Sequence, residues 1–324
     1  MDSLQRMTIA ISIATGITVV APGFAQGQQK FPIKPVRLVV PFSPGSQSDV
    51  LARVIGPKLS EIWGQPVVVE TRTGAGGTIA AALVARATPD GHTLLVSSTA
   101  FVIGAALQPS LPYDAHKDFV GVTQLGYSTS ALVVAPALGV KSVKELIALA
   151  QAKPGQVLFS SSGAGGGSHM LGERFRLAAG IKVQHVGFKG AADAVLEVMA
   201  GRVHFCIQSL AAGLGFIRDG RLLALAVVTP QRSPLLPDVP AMAEVLPGYE
   251  RDGSFPLLAP AGTPLAVRQQ ISRDVARVFD LADVRDRLQG MGFVSAPTTP
   301  EEHDRILRAQ IQAFAKVAAA VGLK

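Results

Sequence analysis

The sequence predicts an α/β fold built from two domains. Strand and helix patterns alternate along most of the chain, which is typical of α/β proteins with parallel sheets. After an N-terminal leader about 300 residues remain, and this length accommodates two separate cores. Apolar residues make up 48% of the chain and charged residues only 16%, so the composition favours a packed globular protein over a disordered one.

Residues 1–25 have the features of an export signal. Arg6 precedes an apolar stretch at 7–20, and Gly23 and Ala25 supply the small residues that a signal peptidase requires. An N-terminal membrane anchor is the alternative, but the stretch is shorter than the span of about 20 residues that a bilayer needs. We therefore expect cleavage after Ala25 and a soluble mature protein in the periplasm.

The first half of the chain predicts three strands and the helices between them. Apolar runs at 36–40, 67–70 and 93–96 predict the strands. Apolar residues recur at helical spacing over 50–62. Pro57 lies inside this helix, so we expect it to kink the helix or cut it short.

The same alternation continues to about residue 228. Ser142 and Glu145 form a capping-box pattern that begins a helix through Gln151. The pattern then predicts strands at 182–186, 203–207 and 222–228, and helices at 190–200 and 210–219.

The C-terminal region is mostly helical. Thr263 is expected to cap a helix that has Pro264 at its first position, and Thr299 and Pro300 are expected to begin the last helix. The region has too few strands to form an α/β domain by itself. We therefore expect it to return and cover the first domain.

This return makes the first domain discontinuous in sequence. The chain is expected to cross between the domains near 123–129 and again near 251–256. The first domain then comprises residues 31–125 and 255–324, and the second comprises residues 126–254.

Three strands run directly into loops rich in glycine and serine, at 41–49, 71–77 and 160–169. Loops without bulky side chains expose their backbone N–H groups, and the helix start that follows adds unpaired donors and a positive dipole end. Such junctions bind anions without a charged side chain. The sequence therefore predicts a protein that captures small anions.

Charge and cysteine content limit the other classes of function. The formal net charge is +7, which favours an anionic ligand by weak steering. The basic residues form no run and alternate with no aromatic stripe, so nucleic-acid binding is not expected. Cys206 is the single cysteine, so no internal disulfide can form, and its apolar neighbours predict a buried structural thiol.

The glycine-rich third loop also admits a nucleotide site and a metal site. Gly163 and Gly165 fit the start of a dinucleotide fingerprint, but Ser168 occupies its last position and no acidic residue ends a following strand. His169 and Glu173 share one helix face, but no further ligand for zinc has suitable spacing. A histidine bonded to Glu173 or to backbone is the simpler interpretation.

A serine hydrolase is the second class of function. Ser168 and His169 are neighbours, but the chain has no G-x-S-x-G elbow. Backbone amides that bind a carboxylate resemble an oxyanion hole, so a secreted acyl hydrolase stays the alternative. A scaffold or adhesion protein, which needs no ligand, is a third class.

The order of several short motifs resembles the extracytoplasmic solute receptors of tripartite tricarboxylate transporters, the Bug family. The resemblance covers nearly the whole mature chain. It rests on Pro41-Phe42-Ser43-Pro44-Gly45 with Asp49, Gly64-Gln65-Pro66-Val67-Val68-Val69-Glu70 with Arg72, Gly74-Ala75-Gly76-Gly77, Pro89-Asp90-Gly91, Ser168-His169 with Glu173, Lys189-Gly190, Leu236-Pro237-Asp238-Val239-Pro240 and Ala259-Pro260-Ala261-Gly262-Thr263-Pro264.

The resemblance implies a type II periplasmic-binding-protein fold, in which two α/β domains joined by two crossing segments enclose a ligand cleft. It also implies that one loop from each domain holds a ligand carboxylate, mainly through backbone amides and water. The chain departs from the family pattern at Ser46, where a second glycine is usual, at Thr71, where asparagine is usual, and at His204, where an acidic residue is common.

The expected ligand contacts combine these loops with the ends of neighbouring strands. Gly45 lets the backbone approach a carboxylate, Asp49 orients its loop, and Lys189 and Gln208 meet the more distant part of the ligand. The full set is Phe42, Ser43, Gly45, Ser46, Asp49, Gly74, Gly76, Ser97, Ser98, Ser161, Ser162, Gly163, Ser168, His169, Lys189, Gln208 and Ser209.

The predicted function is that of a periplasmic solute-binding receptor for a small carboxylate. Membrane components of a tripartite tricarboxylate-type transporter are its expected partners. We expect a monomer without catalytic residues, enzymatic activity, cofactor, metal or nucleic acid.

Overall fold

Two mixed β-sheets organise the described part of the chain. The computed structural model describes residues 31–324 except for Pro109, Pro230, Pro247, Gly248, residues 250–253, Val321, Leu323 and Lys324, and the side chain of Ala211. The expected export signal lies outside the described residues, and so does part of the expected crossing at 251–256.

The elements alternate as the sequence predicts. The strands are β1 (Val36–Val40), β2 (Val67–Thr71), β3 (Thr93–Val96), β4 (Phe119–Ser128), β5 (Ser130–Val134), β6 (Val157–Ser161), β7 (Val183–Gly187), β8 (Phe205–Ser209), β9 (Leu223–Val227), β10 (Ser254–Pro260) and β11 (Phe293–Ser295). The α-helices are α1 (Gln47–Trp63), α2 (Thr78–Ala85), α3 (Thr99–Leu107), α4 (Val143–Ala152), α5 (Gly167–Ala178), α6 (Ala191–Met199), α7 (Leu210–Arg218), α8 (Met242–Val245), α9 (Leu265–Asp280), α10 (Ala282–Gly290) and α11 (Pro300–Ala320).

Each sheet is parallel in part and antiparallel near the points where the chain changes sheets. Within the described residues the first sheet has the order β11-β4-β10-β3-β1-β2 and the second has the order β7-β6-β8-β5-β9. Strands β1, β2 and β3 are parallel, as are β6, β7 and β8. Strands β10 and β5 run antiparallel to their neighbours. The expected parallel pairing is therefore present in both sheets, and the strands next to the points where the chain changes sheets run antiparallel.

We call the first sheet with α1–α3 and α9–α11 the first lobe, and the second sheet with α4–α8 the second lobe. The C-terminal helices cover the first lobe as expected, since α9 packs on α1 and β4 and α11 packs on α3 and β4. The chain leaves the first sheet after Ser128 and enters the second at Ser130. The exact domain boundaries at 125/126 and 254/255 stay predictions.

The apolar cores follow the lobes with one exception. Most buried apolar residues cluster within one lobe or the other. Met170 on α5 of the second lobe is fully buried in a first-lobe cluster that includes Phe101 and Phe314. This side chain therefore ties α5 to α3 and α11.

Some local expectations are confirmed. Ser142 caps α4 by accepting a 3.2 Å hydrogen bond from the Glu145 N–H. Thr299 accepts one of 3.2 Å from the Glu302 N–H at the start of α11.

Two other local expectations are wrong, and a third is only half answered. The helix α1 continues through Pro57 to Trp63 and is not cut short, because its buried apolar face outweighs one lost backbone hydrogen bond. A kink at Pro57, the other expected outcome, stays a prediction. Thr263 does not cap α9, since its hydroxyl donates to the Pro260 carbonyl at 2.7 Å. Strand β8 lies two residues later than expected and thus includes Gln208. Among the described residues no helix is both long and apolar enough to cross a membrane.

Candidate functional site

The predicted loops lie where the edges of the two sheets meet. In the first sheet β1, β2 and β3 end at one edge, and β4 ends there too because both β3 and β4 are antiparallel to β10. In the second sheet β6 and β8 end at the edge where β5 begins, since Ser130 pairs with Ser209. Only Thr129 separates β4 from β5. The loops after β1 and β6 therefore both open toward the junction of the lobes, as expected for a ligand cleft at the carboxyl ends of parallel strands.

A tight turn at the end of β1 precedes α1. The Ser46 N–H donates to the Ser43 carbonyl at 3.0 Å, and Gly45 has a φ of 84°, a value that favours glycine. The Asp49 carboxylate accepts the Gly45 N–H at 2.9 Å. Ser46 caps the helix by accepting from the Asp49 N–H at 3.3 Å. Asp49 thus orients the loop, as the sequence interpretation proposed.

Asp49 is an ionised, buried support for this turn. Burial opposes its ionisation, but hydrogen bonds from Arg53 and the Gly45 backbone, together with the charge of Arg53, lower its pKa. Gln47 and Ser48 occupy the first two helical positions, where a backbone N–H has no intrahelical acceptor. The N–H groups of these two residues therefore have no partner within the helix.

Gln47 and Ser48 also connect the turn to neighbouring strands. The Gln47 amide donates to the Ser128 hydroxyl at 3.1 Å, at the point where the chain leaves β4. The Ser48 hydroxyl donates to the Ser97 carbonyl at 3.2 Å. The first loop is therefore held against both β3 and the connection between the lobes.

Two further first-lobe segments border this loop. A Cβ on Gly77 would lie 3.1 Å from Pro41 and 3.8 Å from the ring of Phe42, so the 74–77 backbone, which includes Gly74 and Gly76, stands against the first loop. Ser98 caps α3 by accepting from the Ala100 N–H at 3.3 Å.

The loop after β6 is cross-linked by its own side chains. The Ser168 hydroxyl accepts the Ser162 N–H at 3.0 Å and lies 2.8 Å from the Ser162 hydroxyl. The buried Ser161 hydroxyl accepts the Gly163 N–H at 3.2 Å. Gly163 has a φ of 134°. These serines shape the loop, and no side chain caps the first N–H groups of the helix α5 that follows it.

His169 lies beneath this loop and is buried. Its Nδ1 accepts the Gly165 N–H at 2.9 Å, and its Nε2 is 3.7 Å from Glu173. Glu173 in turn bonds Arg176 at 2.6 Å. Burial opposes ionisation of Glu173, but His169 and Arg176 outweigh it and lower the Glu173 pKa. His169 therefore supports the loop in the way the simpler sequence interpretation described.

Sequence reasoning missed His185, which comes from β7. Its Nε2 is 2.6 Å from the Ser161 hydroxyl, and its ring stacks on His169 with centroids 3.7 Å apart. Burial, reinforced by the charge of His169 and partly offset by Glu173, lowers the His185 pKa to about 4. The Ser161–His185 distance suits a nucleophile and its base, but Ser161 has 0% exposure, so no substrate reaches its hydroxyl in this arrangement.

Residues expected to read the distal part of a ligand lie in two places. Gln208 and Ser209 end β8 at the junction of the lobes, and the Gln208 Nε2 is buried with no hydrogen-bond partner among the described residues. Lys189 is exposed and lines, with Gly163, Gly187 and Asp193, a depression of about 670 Å³ on the second lobe.

A cavity of about 710 Å³ lies on the opposite side of the connection between the lobes. Thr229 and Leu235 of the second lobe line it together with Arg285 and Phe293 of the first. It borders β11 and the end of β9, whereas the anion loops follow β1 and β6. None of the sequence-predicted site residues lines this cavity.

Metal and thiol chemistry find little support in the described residues. No group of three or more His, Cys, Asp or Glu side chains there could hold a metal ion. Cys206 is buried as expected, and burial raises its pKa to about 12, so the thiol is unreactive.

Two α/β lobes with anion-binding loops facing one junction define a solute-binding protein of the two-lobed class. The chain matches the family model of the tripartite tricarboxylate transporter family receptor, TctC, over residues 51–323. The chain therefore belongs to this family of periplasmic solute-binding receptors.

Its similarity to individual members extends over nearly its full length. It is 34% identical to the protein BugT of Bordetella pertussis over 99% of both chains. It is 32% identical to Rpa4515 of R. palustris, solved with adipate, with a TM-score of 0.71 over 90% of this chain and 98% of that one. It is 30% identical to MatC of Rhodopseudomonas palustris, solved with malate, with a TM-score of 0.67 over 89% and 99%.

Proposed function

We propose that this receptor binds a small carboxylate between the loop 42–49 of the first lobe and the loop 161–169 of the second. The observation that carries the proposal is the pair of strand–loop–helix junctions at the facing edges of the two sheets. Each junction ends in uncapped N–H groups at a helix start, which suit a carboxylate. The net charge of +7 adds attraction for an anion.

The orphan amide of Gln208 favours a ligand with a second acceptor. A buried donor without a partner costs about 1–3 kcal/mol, so a ligand oxygen placed there gains affinity. Lys189 can pair with a further charge at the rim of the second lobe. Adipate in Rpa4515 and malate in MatC each carry two carboxylates, which supports a dicarboxylate as the first class to test.

The remaining parts of the proposal follow from this role. The signal at 1–25 directs export and is cleaved after Ala25, and the receptor delivers its ligand to membrane components of a tripartite tricarboxylate-type transporter. It acts as a monomer, without cofactor, metal, nucleic acid or catalytic turnover.

The test is a thermal-shift and calorimetry panel of mono-, di- and tricarboxylates, with a nucleotide, Zn²⁺ and a chromogenic ester as the other arms. A carboxylate at about 100 times its Kd should stabilise the fold by about 2.7 kcal/mol. Stabilisation by the nucleotide or Zn²⁺ alone would contradict the proposal. Turnover of the ester would instead favour the acyl hydrolase.

A further inference from the structure

Two stacked imidazoles, the buried His169 and the half-buried His185, lie beside the second-lobe loop 161–169. His169 begins α5, and His185 comes from the neighbouring edge strand β7. Their ring planes are 24° apart with centroids 3.7 Å apart. The ring of Phe159 covers them from β6, with its centroid 5.0 Å from His185. The pair is thus a packed unit assembled from three elements.

His169 holds one glycine of the loop through a ring nitrogen, and His185 contacts the serine that holds another. The His169 Nδ1 accepts the Gly165 N–H at 2.9 Å. The His185 Nε2 lies 2.6 Å from the Ser161 hydroxyl, which accepts the Gly163 N–H at 3.2 Å and donates to the Gly163 carbonyl at 3.1 Å. A ring nitrogen accepts a hydrogen bond only while it is unprotonated. Protonation of Nδ1 in His169 would therefore expel the Gly165 N–H from its place.

The charged surroundings oppose two protons on the pair. The ring centroids are 3.7 Å apart, so a positive charge on one ring opposes a positive charge on the other. Glu173 is the acidic group that faces them, and Arg176 already binds it at 2.6 Å. Burial lowers the pKa of His185 to about 4.

The other elements packed on the pair add few titratable groups. Strand β6 and helix α3 have none, β7 has only His185, and β8 has only Cys206, whose buried thiol has a pKa of about 12. Arg174 of α5 lies over the rings of Tyr249 and Phe314. The remaining groups belong to α11, which contacts α5: Glu301, Glu302, His303, Asp304, Arg305, Arg308 and Lys316.

We propose that His169 and His185 are positioning residues that hold the loop 161–168 in its anion-binding form, and that protonation of His169 releases the loop and its ligand. This inference rests on the proposed carboxylate site. It adds a proton-dependent step to that site: ligand is held when the His169 ring is neutral and released when that ring gains a proton.

Nuclear magnetic resonance of the ¹⁵N-labelled protein tests, without any ligand, whether the histidines hold the loop. The amide signals of Gly163 and Gly165 should move on acidification with the same midpoint as the ring signals of His169. The ring signals of the exposed His116 serve as an internal reference. Ring signals that titrate while both amide signals stay in place would overturn the proposal.

Variants at His169 separate the loss of the hydrogen-bond acceptor from the gain of a proton. His169→Asn keeps an acceptor close to Nδ1 but cannot be protonated, whereas His169→Leu removes the acceptor. With adipate as the probe, or malate if adipate does not bind, we expect His169→Asn to bind within about threefold of wild type at pH 7.5. His169→Leu should bind at least about tenfold more weakly, since a buried N–H is left unpaired.

The pH profile then distinguishes positioning from simple packing. Between pH 8 and pH 5 the wild type should lose several times more affinity than His169→Asn. The matched control is His204→Asn, because His204 accepts the Leu158 N–H at 3.0 Å at the opposite end of β6. This control should keep the wild-type profile, and ionisation of the ligand cancels in the comparison.

Equal dependence of carboxylate affinity on pH in wild type and His169→Asn would overturn the proposal. If His169→Leu fails to fold by circular dichroism, the amide titration and the His169→Asn profile still decide. Failure of every carboxylate to bind wild type at pH 8 would contradict the proposed function instead. The amide titration would still test whether the histidines hold the loop.

Discussion

Replacing Asp49 with asparagine should loosen the first anion loop without changing its shape. The carboxylate accepts the Gly45 N–H at 2.9 Å and binds Arg53 at 3.0 Å, and it stands in the first turn of α1. Asparagine keeps the size and one acceptor but removes the charge. The substitution therefore isolates the contribution of the ionised form.

The expected magnitude follows from these three contacts. Replacing the charge-assisted bond to Gly45 with a neutral one costs about 1 kcal/mol. Losing the negative charge near the helix N-terminus costs about 0.5 kcal/mol. The Arg53 pair adds at most about 0.5 kcal/mol because Arg53 is 52% exposed. We expect Asp49→Asn to lower the free energy of unfolding by about 1–2 kcal/mol and to weaken carboxylate binding by about tenfold.

The assay is urea unfolding at pH 7.5, paired with calorimetry of the bound carboxylate. The matched control is Asp283→Asn, which removes an exposed carboxylate paired with Lys58 at 3.0 Å and should leave stability nearly unchanged, because solvent screens the pair. Since the Asp49 pKa is lowered below 3.8, its contribution persists above that pH and disappears as the pH falls through the folded-state pKa. Unchanged stability and unchanged affinity in Asp49→Asn would refute this account of the loop.

Three further predictions test the second loop, the contact that Met170 makes between the lobes, and the effect of the buried His303 on stability in acid. Gly163→Val should abolish carboxylate binding because φ is 134°, whereas Gly180→Val, with a φ of 61° at the other end of α5, should bind normally; calorimetry compares them, and equal binding would place the anchor elsewhere. Met170→Ala should lower the unfolding free energy by about 2–4 kcal/mol in urea titrations, since its side chain is fully buried; a loss below about 1 kcal/mol would show that the site collapses. Burial lowers the pKa of His303 to about 3, so the folded protein loses stability as the pH falls from 6.5 toward 3, where the unfolded chain binds a proton and the buried ring does not. Between pH 7 and pH 4 the unfolding free energy of His303→Leu should fall by about 1–3 kcal/mol less than that of wild type. Identical acid profiles of the two proteins would argue against this role.

Most of the strands and helices that were predicted correctly follow from local sequence patterns. Strands such as β1 and helices such as α4 follow from apolar spacing and capping residues within a few positions. Strand directions did not follow, because the antiparallel β10 depends on where the returning chain enters the first sheet. Pro57 misled because burial of α1 against the sheet is a tertiary effect that a local rule does not include.

The sequence indicated the loops of the candidate site but not all of the side chains that support them. Glycine and serine at the ends of β1 and β6 indicated backbone donors, and the spacing of His169 and Glu173 indicated one helix face. His185 lies on a separate strand, so only the parallel pairing of β6 with β7 brings it under the loop. A histidine within the predicted strand 182–186 was the signal that could have pointed to it.

The most direct test of the central claim is amide shift mapping of the ¹⁵N-labelled protein during titration with a carboxylate selected by the panel. We predict that the largest changes fall in both loops, 42–49 and 161–169, with the Gln208 side-chain amide among them. Changes confined to one loop would leave the carboxylate held by a single lobe. Changes centred instead on the cavity lined by Arg285 and Phe293 would contradict the account.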